Sequence, residues 1–559
     1  MVPIGKTDTI TAVEGKESAI ETTSREKRDA LTDDDLLARL GYKQEFKREF
    51  SKMQLFGLSF TIMGVVQSIA AVLFFSIPYG GPVGMVWGWF TCCCFLIIVG
   101  LAMAELGSAA PTAGGLWNNL SFDNLSINSG VFSYYWTFTF SSPKYRRLLS
   151  WLIGYVNTAA YVAGMAGADW ATATQIMASV NIGTDGEFVA TTAQTYGVYC
   201  ALLAMHTVMA CMATKTIARL QYFYVFLNIA LFLVVIIALP VATPKELHNS
   251  GSFAFGHFQN TSGWTNRWAF VMSFLAPAWT VGGYDTVVHI SEEARNAPRA
   301  VPFAIMSATI LSALLGWIVI IVLALYMGSD LDSVIGNPIG QPMATIFFNS
   351  VGKTGTLVIW WFIIITLWIS GMDFLIAGSR QVFAFSRDRG IPLSGWLYNI
   401  NPKTKTPVHA VIFLAIMALL LGLLAFAGPL AISAVFTMLL VCQYIAFVTP
   451  ITARWVGGQK FVPGPFNLGL MSAPISFVAS AYLIFMIFVF LFPPVPSPTS
   501  HSMNYTVVVV GGTLLLSLGY YFFPRYGGRY WFTGPVETIR RVGQVSNDRD
   551  EKDSGISRN

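Results

Sequence analysis

Charged side chains are scarce in this chain. Lys, Arg, Asp and Glu make up 11% of its 559 residues, whereas a globular protein carries roughly 25%. Cysteines are few. Cys92, Cys93, Cys94, Cys200, Cys211 and Cys442 fall in or beside apolar runs, and none stands at a metal-ligand spacing from a histidine. They read as packing residues, with Cys211, near a cytoplasmic end, a candidate for palmitoylation. No nucleophile–base constellation, metal spacing or phosphate loop appears, which argues against an enzyme and implies no cofactor. The GGP and GGPVG runs are loop turns, not dinucleotide fingerprints. The net charge of +5 comes from juxtamembrane Lys and Arg, not from a nucleic-acid surface. No cleavable leader precedes the first apolar run. Residues 1–50 are polar and of mixed charge, which predicts a disordered cytoplasmic tail.

What is abundant is apolar. Hydrophobic residues reach 54%, the mean hydropathy is +0.58, and runs long enough to span a bilayer recur throughout. The expected fold class is an all-α polytopic membrane protein of about twelve transmembrane helices. Spans are expected near 56–79, 83–107, 150–177, 196–214, 218–240, 267–290, 303–327, 355–384, 409–427, 430–450, 472–492 and 505–523. Alternate loops collect the cations: Lys144, Arg146 and Arg147; Lys215 and Arg219; Arg295 and Arg299; Arg380, Arg387, Arg389, Lys403 and Lys405; Arg454 and Lys460. The other loops carry Asp185, Glu187, Asp330 and Asp332. The positive-inside rule then places both termini in the cytoplasm. Asn260 and Asn504 fall in outer loops as glycosylation candidates, while the sequons of Asn119 and Asn124 face inward.

Two spans carry breaks. In the sixth, FLAPAWTVGGYDTVVHISEEARNAPRAVP, Pro277 and the pair Gly282-Gly283 interrupt the helix around Ala278, Trp279, Thr280 and Val281. In the first, Gly64 is followed by Gln67 and Ser68 at mid-membrane depth. Broken backbone in hydrocarbon survives only inside protein or along a wet cavity. Matching breaks in corresponding spans of two halves point to a transporter site made by inverted repeats. Each break also has a bland explanation. Gly64 can serve close packing, and Trp279 can be core bulk. Asp285, His289 and Asp373 are ionisable groups in or near spans, where function is the default. Asp285 and His289, one turn apart, suit a structural pair at the inner end as well as a proton relay. Asp169 and His206 suit a structural role.

The runs FTIMGVVQSIA, GGPVGMVWGW and AELGSAAPTAGG resemble the amino acid–polyamine–organocation permeases, as do GYDTVVHISEEARNAPRAVP and SRQVFAFSRDRGIP. The likeness, over about 54–524, is to the fungal amino acid/choline branch, which includes GABA, choline and polyamine permeases. It implies a five-plus-five inverted-repeat core with broken helices one and six, two extra C-terminal helices, and secondary active transport, driven by protons. It also implies that backbone amides of Gly64, Val65, Val66, Gln67, Ser68 and Ile69 hold a substrate carboxylate. Ala278, Trp279, Thr280, Val281 and Gly282 would hold the amino end with carbonyls and an aromatic gate. Independently, helix N-termini attract anions and C-termini attract cations, and Trp279 offers a ring face to an ammonium.

The domain reading is a cytoplasmic tail at 1–50, a permease domain at 54–524 and a second tail at 525–559. The chain departs from the family pattern between Leu116 and Tyr134, where WNNLSFDNLSINSGVFS stands; a loop or an unspliced intron would both account for it. The expected partners are a small amino acid or amine, protons and membrane lipid. The plasma membrane is favoured over the vacuole, and a nutrient sensor of the same fold stays open. Of Glu292 and Glu293, at the acid-averse C-terminal end of span six, one is expected to bridge to an arginine of the loop after span eight (Arg380, Arg387 or Arg389) in the outward-facing state and close the inner gate. Asp285, Glu292, Glu293, Asp373 and Arg380 are thus the gating or coupling candidates.

Overall fold

The computed structural model of the chain describes residues 50–109, 132–212, 214–499 and 503–535. They fall within one compact unit, Phe46–Val536. The expected tails lie largely outside the described residues, as do Asn119, Asn124 and the insert up to residue 131.

The described residues form twelve helical spans. Span one is Lys52–Met63 followed by Val65–Val72. Spans two to five are Gly81–Ala109, Arg146–Gly183, Thr192–Ala210 and Thr214–Ala242. Span six is divided into Asn266–Met272, Leu275–Thr280 and Thr286–His289. Span seven is Ala297–Tyr326, and span eight is the part of Pro342–Arg387 that follows the non-helical Gly352. Spans nine to twelve are Val408–Gly422, Pro429–Val456, Ser472–Leu491 and Thr506–Phe522. Nine apolar helices among the described residues are long enough to cross a membrane. The other three are span four, which has 19 residues but is less apolar, span six, which is in pieces, and span twelve, which is apolar but has 17 residues. Span three has 38 residues, about 57 Å at 1.5 Å per residue, so it must tilt or protrude from a core ~30 Å thick.

Local chemistry sets several helix starts. Ser51 and Gln54 form a capping box before span one, and Thr191 and Gln194 do so before span four. Pro429 and Pro342 stand in the first turn, where a missing N–H costs nothing. Spans two and seven approach closely at Gly316, where an added Cβ would collide with the Trp89 indole. That indole donates to the Ala313 carbonyl at 3.0 Å.

The connections sort into two sets, each tied internally. In one, Tyr79–Gly80 pairs antiparallel with Gln259–Asn260, Tyr79 Oη donates to the Pro494 carbonyl, and Lys353 meets Asp185 at 2.7 Å. In the other, Phe50 N–H donates to the Glu293 carbonyl and the Phe50 carbonyl accepts the Arg295 N–H, Tyr155 Oη reaches the Gly390 carbonyl, and Thr406 reaches the Cys211 carbonyl. The second set holds the cation-rich loops.

Two domain boundaries move. Phe50, placed in the tail by composition, is 1% exposed and bonded to the segment after span six. Residues 525–535 also join the fold: Phe532 is buried, and both it and Trp531 pack edge-on against Trp151 of span three. Aromatic side chains hold a segment whose overall polarity suggested a free tail. The insert likewise ends before Ser133, which is buried in the helix Phe132–Phe140.

Candidate functional site

Span one breaks at Gly64, whose φ of 38° and ψ of 86° are left-handed. An added Cβ there would collide with the side-chain amide of Gln67, so the position needs glycine on both counts. Gly64 N–H closes the first half by donating to the Phe60 carbonyl, and Ser68 N–H opens the second by donating to the Gly64 carbonyl. The N–H groups of Val65, Val66 and Gln67 therefore stand at an open helix start. Gln67 Nε2 is anchored to Asn228 Oδ1 of span five at 2.7 Å, while its Oε1 is buried with no hydrogen-bond partner. At the closing end of the first half, the Thr61 carbonyl accepts the Ser370 hydroxyl of span eight at 2.6 Å.

Span six breaks twice, once before Pro277 and once at the expected Gly282-Gly283 pair, but the stretch between them is not unwound. Ala278, Trp279 and Thr280 are helical, in the last turn of Leu275–Thr280. Pro277 sits in the first turn of that short helix and tolerates it. The first interruption is a turn earlier, at Ser273–Phe274. The carbonyl that Pro277 cannot bond, four residues back at Ser273, takes the Ser76 hydroxyl at 3.1 Å. The second break runs from Val281 to Asp285. Gly283, with φ of 80°, makes its turn, and an added Cβ would lie 2.7 Å from Ile62 of span one. The two breaks thus meet backbone to side chain. The carbonyls of Ala278, Trp279 and Thr280 lie at an open helix end, facing the opposite requirement to the N–H groups of span one.

The Trp279 ring lies 5.5 Å from that of Phe436 in span ten, which lies 5.8 Å from Phe75. Phe75 also lines a cavity bounded by Met272, Leu275 and Thr437. Trp279 Nε1 and Thr280 Oγ1 are buried without partners. Gly64, Val65, Val66, Gln67, Ser68, Ile69, Ala278, Trp279, Thr280 and Val281 are all buried, and Gly282 is partly exposed.

Below the second break lies a polar cluster. Asp285 accepts from Tyr161 Oη at 3.0 Å and from Gln443 Nε2 at 3.4 Å. His289 Nε2 lies 3.5 Å from Asp285 Oδ2 and 3.3 Å from Asn157 Nδ2. Spans three, six and ten are thereby joined. One turn further, Glu293 Oε1 meets Arg380 Nε at 2.9 Å, with both side chains buried. Arg380 lies within span eight itself, not in the loop after it. The Glu292 side chain lies outside the described residues. Asp373, also on span eight, is fully buried: Oδ1 accepts from Gln221 Nε2 at 3.0 Å, and Oδ2 has no hydrogen-bond partner.

Sequence reasoning missed Tyr161, Gln221, Asn228, Gln443 and Ser370. A signal existed for two of them. Gln221 and Asn228 stand seven apart in an apolar span, hence on one face, and unpaired amides are costly there. Asp169 and His206 pair at 3.0 Å, both fully buried, against Gly371 and Trp368, and take no part in these contacts. Glu105 binds Arg454 at 2.6 Å, the Leu468 N–H and the Ser472 hydroxyl. Among the described residues no group of three or more His, Cys, Asp or Glu side chains could hold a metal ion. The glycosylation candidates are both engaged. Asn260 Nδ2 donates to the Trp264 carbonyl and to Asn266 Oδ1, and Asn504 Nδ2 donates to the carbonyls of Phe490 and Phe492.

A helical membrane protein whose buried centre offers helix starts from one span and helix ends from another has the site of a solute carrier. Residues 50–513 match the amino acid permease family model, and the chain belongs to that family. It is 38% identical to an uncharacterized amino-acid permease of Schizosaccharomyces pombe, over 93% of this chain and 91% of that one. It is 35% identical to the GABA-specific permease of Saccharomyces cerevisiae, over 94% and 90%. It is 31% identical to amino-acid permease 2 of Neurospora crassa, over 92% and 91%. The chain is an integral membrane amino acid transporter.

Proposed function

We propose that the chain is a proton-coupled secondary transporter of GABA or closely related amino acids, working by alternating access at the plasma membrane with both termini cytoplasmic. The observation that carries this reading is the meeting of the two breaks at Gly283 and Ile62. It brings an anion-attracting helix start and a cation-attracting helix end into one buried region, which suits a zwitterion. The N–H groups of Val65, Val66 and Gln67 take the carboxylate. The carbonyls of Ala278, Trp279 and Thr280 take the ammonium, with the Trp279 ring beside it. Breaks in the first span of each five-span half fit an inverted-repeat core with two further C-terminal helices. Asp373 is the proton carrier, because its unpaired Oδ2 is buried beside Gln221. Glu293 and Arg380 form the inner latch.

Similarity to a GABA-specific permease favours GABA among the candidate solutes. The deciding experiment is uptake of labelled GABA, neutral amino acids, choline and polyamines by cells lacking their own permeases, with and without a protonophore. Accumulation of GABA that collapses with the proton gradient is expected. Uptake of choline or a polyamine alone would move the substrate to that branch, and no flux of any of them would favour a sensor.

A further inference from the structure

Spans three, ten and eleven enclose a groove of about 380 Å³ at the end of the molecule that carries the cation-rich loops. Its long walls are apolar: Leu149, Val448, Val456 and Ile484. The threonines that line it have their hydroxyls occupied elsewhere. Thr449 bonds the Ile445 carbonyl and Thr452 bonds Ser480. Val456 and Ile484 are 79% and 46% exposed, so the groove opens sideways, toward the surrounding lipid. Its mouth is different in kind. Ser141 lines it, is 3% exposed, and its Oγ has no hydrogen-bond partner. Tyr145 lines it too, and Lys144 Nζ lies 5.1 Å from the centre of the Tyr145 ring. Arg146 and Arg147 follow at once; the Arg146 guanidinium lies over the Phe138 ring, 4.8 Å from its centre, with Nε buried and not hydrogen-bonded. No carboxylate among the described residues pairs with Lys144, Arg146 or Arg147.

We propose that this groove is a binding site for an anionic glycerophospholipid. An acyl chain fills the apolar trough between spans ten and eleven. The headgroup phosphate takes the Ser141 hydroxyl and neutralises the cations at 144–147. An apolar trough alone would accept any lipid, so the selectivity comes from the cations that flank Tyr145 of the lining, Lys144 against its ring and Arg147 two residues on. On the proposed topology they face the cytoplasmic leaflet, which is the anionic one. The occupant would tie the start of span three to the ends of spans ten and eleven.

The test uses the purified full chain in neutral detergent. Phosphatidylserine, phosphatidylcholine and inorganic phosphate are titrated separately, with bound lipid read by native mass spectrometry and thermal midpoint read in parallel. Phosphatidylserine should form a one-to-one adduct at a concentration about tenfold lower than phosphatidylcholine and raise the midpoint. Phosphate alone should do neither. Lys144→Gln with Arg147→Gln should erase the preference while leaving phosphatidylcholine binding intact, and Ile484→Trp should fill the trough and remove both. Equal binding of the two lipids by the wild-type chain would overturn the proposal, as would a preference that survives the charge substitutions or a shift with phosphate alone. The wild-type comparison decides the matter even if a variant fails to fold. The readout needs no substrate, so it stands or falls apart from the transport reading.

Discussion

At the scale of single residues, the site depends on positions where backbone and side chain make opposite demands. Gly64 must be left-handed and must also leave room for the Gln67 amide. We expect Gly64→Ala to abolish GABA uptake, because either the turn or the Gln67–Asn228 bond gives way; normal uptake with normal surface expression would show that the break is not needed. Trp279 is buried, but its indole N–H is unbonded, which a side chain serving only as bulk does not require. Trp279→Ala should cut uptake at least tenfold with surface expression unchanged; parallel losses of both would make it packing. Asp373 supports a sharper prediction. A buried carboxyl with one unbonded oxygen is costly to ionise, so it can carry a proton inward only if its surroundings change between states. Asp373→Asn should keep GABA exchange across vesicles but lose accumulation driven by a proton gradient. If the variant accumulates GABA as the wild type does, the coupling group lies elsewhere.

At the scale of elements, the spans and both breaks were legible in the sequence because hydropathy, glycine and proline act locally. The Gly64 break falls where it was expected. In span six the Gly282-Gly283 break also falls where it was expected, whereas the other lies a turn before Pro277, where the Ser76 hydroxyl, from the segment after span one, takes the carbonyl that Pro277 leaves free. Such long-range capping cannot be read from a local pattern. The same holds for Tyr161 and Gln443, which bond Asp285 from spans three and ten. The charge argument at the end of span six pointed to an arginine of the loop after span eight, whereas the structure pairs Glu293 with Arg380 inside the span itself. On the proposed mechanism, this pair joins elements that alternating access must separate. Removing one partner of a buried pair costs about 3–5 kcal/mol in the state that holds it, while ~1.4 kcal/mol already changes a two-state ratio tenfold. Glu293→Gln should therefore favour the inward-open state and make cysteine probes near Arg295 more reactive. Exchanging the pair, Glu293→Arg with Arg380→Glu, should restore part of the lost uptake. Unchanged probe reactivity in Glu293→Gln would show that the pair is scaffold and not gate.

At the scale of the whole molecule, twelve crossings divide the loops into two faces, and the contacts respect that division. Asp185 meets Lys353 on one face, and Phe50 meets Arg295 on the other. On the proposed orientation, the second face, which carries the cation-rich loops, is the cytoplasmic one. The exposed Asp185–Lys353 pair contributes little to stability, roughly 0–1 kcal/mol, so both positions tolerate substitution and can serve as reporters. The sequons are poorer reporters. The amide nitrogens of Asn260 and Asn504 each make two hydrogen bonds that order their loops, and a glycan on either would remove at least one donor hydrogen. We expect neither to be glycosylated in the mature protein, with no mass shift on glycosidase treatment. Orientation is better tested with single cysteines in a background where the six native ones are replaced. Cysteines at Asp185 and Lys353 should react with a membrane-impermeant maleimide in intact cells. Cysteines at Lys403 and Lys405 should react only after permeabilisation. The reverse labelling pattern would invert the molecule, place the Glu293–Arg380 latch on the outer side, and turn the proposed inner gate into an outer one.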